Sequence, residues 1–127
     1  MSSKQTRSDL LYMQDMEDAM NLIFEYVGEQ DYLTIKSNQL LVDGILRNLE
    51  IVGEAAGKVS LEIKGRYPQI EWSRMTRTRN RLAHEYYRID LEVVWRIIID
   101  YLPQNLLALK LAIAESKMGL TPPPQSP

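Results

Sequence analysis

Apolar residues recur at helical spacing from about Ser8 onward: Met13, Met16, Met20, Ile23 or Phe24, and Val27. Asp15, Glu17, Asp18 and Asn21 fall on the other side. Steps of three and four define one face of an amphipathic helix, and Gly28 is a suitable stop for it. A longer pattern runs from about Ser37 to Lys64, with Leu41, Ile45, Leu49, Val52, Ala56 and Val59 as its stripe. Asp43–Arg47 and Glu54–Lys58 set opposite charges four apart, each adding about 0.3 kcal/mol to a helix. Gly44, Gly53 and Gly57 each weaken such a helix by up to about 1 kcal/mol. The small residues at 53, 55, 56 and 57 are therefore read as a place where another helix comes close.

The stretch G65-R-Y-P-Q-I is a connection. Gly65 ends one helix and Pro68 disfavours helix at Tyr67. A third helix is predicted from Trp72 to about Tyr87. A fourth starts at Asp90, a good N-cap, and carries Leu91, Val94, Ile97, Ile98 and Tyr101. Pro103 must kink or end it, and a further helix follows from Gln104 to about Lys117. No segment alternates like a strand. The expected fold is all-α, an antiparallel bundle of four to five helices. It forms one domain over residues 1–118, and residues 119–127, with four prolines, are expected to be a disordered tail.

Composition narrows the chemistry. The 127 residues suit one core. No cysteine is present, which removes disulfides and thiol catalysis, and a single histidine removes a histidine-rich metal site within one subunit. No motif calls for a metal or cofactor. No apolar run approaches the roughly 20 residues of a membrane span, and the N-terminus lacks a secretory pattern, so no membrane partner and a cytoplasmic location are expected. The formal net charge is −2. Locally the balance reverses, since residues 74–88 hold five arginines against one glutamate, a field that suits a phosphate.

That basic stretch contains the only histidine, in R79-N-R-L-A-H84-E-Y86-Y. The R-N-x-x-x-H-x-Y spacing resembles the HEPN superfamily, and more narrowly its HepT-like branch of toxin ribonucleases. The likeness extends to R47-N-L-E-I-V-G-E-A-A, to R66-Y-P-Q-I-E-W and to R88-I-D-L-E-V-V-W, covering about residues 9–115. The resemblance implies a homodimer in which Arg79 and His84 of both subunits meet in a composite cleft. It implies a metal-independent endoribonuclease acting as the toxin of a HepT/MntA toxin–antitoxin pair of type II or VII. It also implies an MntA-like nucleotidyltransferase antitoxin that transfers AMP to Tyr86.

The residues support the same chemistry without the family. Cleaving RNA without a metal needs a base for the 2′-hydroxyl, an acid for the leaving 5′-oxygen and cations for the charge on phosphorus. Histidine serves either proton role near neutral pH, and arginine grips phosphate oxygens in pairs. One chain has one histidine, so acid and base come from two subunits. Asn80, four residues before His84, can orient it or touch a phosphate, and Arg81 is a further RNA-binding candidate. Residues five apart sit about 140° apart on a helix, so Arg79 and His84 do not share a face. Either the helix loosens near His84, the Arg79 side chain reaches round, or the pairing crosses the dimer.

Plainer readings stand beside these. His84 alone can be a half-buried structural residue. Arg74, Arg77 and Arg81 can be a solvated face paired with Glu71 or Glu85. Tyr87, Trp72, Trp95 and the methionines of the first helix read as packing, and Glu54 either pairs with Lys58 or faces the cleft. The principal alternative function is a non-catalytic nucleotide- or RNA-binding subunit of a minimal nucleotidyltransferase, and another is a pure assembly module.

Overall fold

The computed structural model describes residues 2–120, with side chains from Asp9 onward. Most of the expected tail, residues 121–127, lies outside the described residues. Helix α1 (Ser2–Val27) begins earlier than Ser8 and ends at Gly28, whose φ of 53° suits a residue without a side chain. A short helix, α2 (Tyr32–Lys36), follows; Asp31 caps it, accepting a hydrogen bond from the Thr34 amide at 2.9 Å.

The single pattern over 37–64 is two helices, α3 (Gln39–Lys58) and α4 (Leu61–Arg66). Ser60 causes the break. Its Oγ accepts from the Ile63 amide at 3.2 Å, which starts α4. Its own amide and hydroxyl donate to Asp9 of α1, at 2.9 and 2.7 Å. Gly65 lies inside α4 rather than ending it, and the stop falls at Tyr67, the residue restricted by Pro68.

Helix α5 (Trp72–Glu85) passes into a 3₁₀ turn (Tyr86–Arg88). Then α6 (Leu91–Arg96), a π-type turn (Ile97–Tyr101) and α7 (Leu102–Met118) form one continuous run. Pro103 neither ends nor caps this run. In a regular helix its ring would strike the carbonyl of Ile99. The wider turn, in which the Leu102 amide donates to the Ile97 carbonyl five residues back, takes up the misfit. Gly119, at φ 70°, closes α7 where expected.

Helix α3 is the centre of the bundle, with α1 on one side and α5 on the other, and α7 lies against α1. Both α3 pairings are antiparallel. Gly44 meets Tyr26 while Lys58 meets Tyr12, and Leu46 faces Ala83 across a groove while Gly57 faces Thr76. The core contains Met13, Met16 and Met20 of α1, Ile45, Leu49, Val52 and Ala56 of α3, and Trp72 and Met75 of α5, with Ile98 and Leu109 from the last run. Trp95 is half-buried, its ring 5.8 Å from that of Tyr32.

Two expected ion pairs are replaced by other contacts. Arg47 meets Glu50 at 3.4 Å while Asp43 accepts from Gln39. Lys58 lies over the Tyr12 ring at 5.7 Å, which leaves Glu54 to another partner. A further expectation changes with the run Leu91–Met118. It is 28 residues long with a window of mean hydropathy 1.4, so by length and composition it can cross a membrane. Its apolar stripe, Val94, Ile98, Leu102, Leu106, Leu109 and Ile113, is buried in the protein core.

Candidate active site

The buried positions of α5 are Trp72, Met75 and Leu82. Continuing their three–four spacing places Arg79 in the same stripe, at a register where a bundle helix normally carries an apolar residue. Gly53 of α3 is what accommodates it. A Cβ at Gly53 would overlap the Arg79 Cβ and the Met75 carbonyl oxygen. The two helices therefore cross with backbone against side-chain stem, and the Arg79 chain threads the gap. The cluster of small residues in α3 thus has the close-approach role expected of it.

At the end of that stem the guanidinium is bracketed. Nη1 donates to Asn80 Oδ1 at 3.3 Å, and Nη2 lies 3.6 Å from Glu54 Oε1. Nε is sealed from solvent and has no partner. The group borders an open groove of about 420 Å³ lined by Gly53, Glu54, Gly57, Lys58, Thr76 and Asn80.

His84 is on another side. It is solvent-exposed, and among the described residues it forms no hydrogen bond or ion pair. The helix keeps its regular turn through Glu85 and tightens only from Tyr86, so no loosening carries His84 toward Arg79. Nor does Arg79 reach round, since its tip is placed beside Glu54. Within one chain the structure brings Arg79 and Asn80 together and leaves His84 apart.

Arg81 is exposed, with Nε 3.9 Å from Glu85 Oε2. Arg74 meets Glu71 at 3.2 Å and stacks 3.6 Å from the Tyr101 ring centre. Tyr86 is 69% exposed and opens the 3₁₀ turn. It borders a second groove with Leu46, Arg47, Glu50 and Ala83. Tyr87 is not part of the core of one chain: it is 73% exposed, with the Arg88 guanidinium 5.6 Å from its ring centre, which leaves only the interface half of its packing expectation.

Two positioning groups were not legible as such. One is Glu54 as the partner of Arg79, since the sequence offered it only Lys58 or an open cleft. The other is Asn105 of α7, which is 2% exposed. Its Oδ1 accepts from the Glu71 amide at 2.8 Å, and its Nδ2 donates to Glu71 Oε2 at 2.8 Å and to the Tyr101 carbonyl at 2.9 Å. Glu71 provides no side-chain cap of its own for α5, so Asn105 satisfies the start of the motif helix from across the bundle.

These features define a class: an all-α bundle whose central helix makes room for an arginine on a neighbouring helix that also carries an exposed histidine. The ribonuclease HepT-like family matches residues 16–110, and the chain belongs to that family. It is similar to a protein of Thermococcus cleftensis named "Probable ribonuclease HepT", with 35% identity over 100 residues, 76% of this chain and 88% of that protein. It is also similar to a protein of Methanocaldococcus jannaschii whose name designates an RNase provisionally. There the identity is 25% over 104 residues, 82% of this chain and 86% of that protein. No solved structure matches the chain.

Proposed function

We propose that the chain is a metal-independent endoribonuclease working as a homodimer, the toxin of a toxin–antitoxin pair. Membership of a ribonuclease family supports RNA as the substrate. The observation that carries the mechanism is the separation of Arg79 from His84 on one helix, with His84 exposed and unpartnered among the described residues. A second copy provides what one chain lacks.

In the shared cleft one His84 takes the proton from the 2′-hydroxyl. The oxygen attacks the adjacent phosphorus, and the bond from phosphorus to the 5′-oxygen breaks. The other His84 gives its proton to that leaving oxygen. The products are a 2′,3′-cyclic phosphate and a free 5′-hydroxyl. Arg79 stabilises the charge on the phosphoryl oxygens, held by fixed neighbours before RNA arrives. Asn80 supports Arg79, and Arg81 adds to the field that attracts the backbone.

Tyr86 is the proposed AMP acceptor for an MntA-like nucleotidyltransferase. Its phenol is exposed and reachable, and an attached nucleotide places negative charge where RNA enters. The test is incubation of purified protein with RNA in EDTA. Cleavage leaving 2′,3′-cyclic phosphate ends is expected, and His84→Ala should abolish it while the protein stays folded. Binding without cleavage would instead favour the non-catalytic subunit of a nucleotidyltransferase.

A further inference from the structure

Arg79 is a cation at a core register, and its one carboxylate neighbour among the described residues comes from another helix. Glu54 Oε1 lies 3.6 Å from Nη2. The alternative use of Glu54, a pair with Lys58 one turn on, is not made: Lys58 lies over Tyr12 instead. The same turn of α3 thus does two things. Gly53 leaves room for the Arg79 stem, and Glu54 stands beside its tip.

The bracketing has a direction. Nε is buried without a partner, so the Nε edge of the guanidinium is closed to a ligand. Arg79 lines the groove, which leaves Nη1 and Nη2 as the nitrogens to meet a ligand there. A separation of 3.6 Å is beyond hydrogen-bond length, so the Nη2 hydrogens remain available to a phosphate oxygen while the carboxylate still attracts the group.

We propose that Glu54 is a positioning residue for Arg79, holding its terminal edge toward the groove and giving way when an RNA phosphate arrives. The inference rests on the nuclease reading of Arg79 given above. Glu54 does not touch the reacting atoms. Its carboxylate fixes the guanidinium before binding and opposes the phosphate in the ground state, so its removal separates kcat from KM.

The test is a double-mutant cycle with a spectroscopic arm. Glu54→Ala is expected to lower kcat about tenfold, because a displaced guanidinium meets the phosphorus centre poorly. KM should not rise, since the competing carboxylate is gone. In an Arg79→Ala background the same change should cause no further loss. The Arg79 Nε–H resonance should exchange slowly with water in the wild type, and faster in Glu54→Ala. Glu54→Gln, which keeps the shape, should retain the slow resonance and lower KM. Equal losses with and without Arg79, or a kcat and resonance unchanged by Glu54→Ala, overturn the positioning role. A wild type inert toward RNA, whose Arg79 resonance nevertheless loosens in Glu54→Ala, overturns the nuclease reading and leaves the positioning role standing.

Discussion

An arginine can occupy a core register only if the opposing position is empty, and Gly53 provides that gap. Gly53→Ala gains up to about 1 kcal/mol of helix propensity. Against this, the new methyl meets a backbone carbonyl and the Arg79 Cβ, neither of which is the free end of a flexible chain. The expected net result is a loss of about 1–3 kcal/mol, typical of overpacking, with RNA cleavage reduced further than stability alone explains. Urea unfolding and cleavage rates measured on the same preparation check both parts; an alanine variant as stable as the wild type refutes the crossing described here. Arg79, Asn80 and His84 share one helix and Tyr86 opens the turn that follows it, so their spacing could be read along the chain. The partner of Arg79 was not, because Glu54 is brought to it by tertiary packing. A signal was present: Arg79 continues the 72–75–82 stripe, and α3 carries glycine next to Val52 in its own stripe.

The long helices were read from their periodicity, which reports burial over several turns. The short ones were missed or merged because α2 spans 5 residues and α4 spans 6, less than two turns in which a period can show. Their ends are set by single side chains, Asp31 for α2 and Ser60 with Asp9 for α4. Pro103 was read as a kink or an end because proline rules describe a regular helix; the run continues, and the π-type turn before Pro103 takes up the misfit. Asn105 belongs to that accommodation, since it bonds the Tyr101 carbonyl in the widened turn and the start of α5 at once. Asn105→Ala leaves the Glu71 amide unpaired in a part-buried place. A loss of about 2–4 kcal/mol is expected, the cost of several bonds and an orphaned donor. Amide hydrogen exchange should speed up first in the early turns of α5, and a uniform change across the bundle would argue against a local cap.

At the scale of the whole molecule, the connection before α5 is fastened to α7 by Tyr67, whose hydroxyl donates to Glu115 Oε1 at 2.9 Å. Burial first, and then the hydrogen bond to the Glu115 carboxylate, push the Tyr67 phenol up from 10.0 to about 12. The unfolded chain therefore releases this proton before the folded one does. The stabilisation is fully present below about pH 10 and is lost as pH rises toward about 12. Tyr67→Phe should cost about 1–2 kcal/mol at neutral pH and show a shallower decline across that alkaline window. Urea midpoints followed upward from neutral pH test this. Assembly gives the last prediction. If one His84 acts as base and its counterpart as acid, a dimer with one His84→Ala subunit lacks a proton partner and is inactive. Subunits exchanged at equal wild-type and mutant content should then retain about a quarter of the activity, because only doubly wild-type pairs work, whereas independent sites would retain about half. A residual activity that tracks the wild-type fraction linearly would mean that each histidine works alone, and the exposed position of His84 would then need a partner other than its own copy.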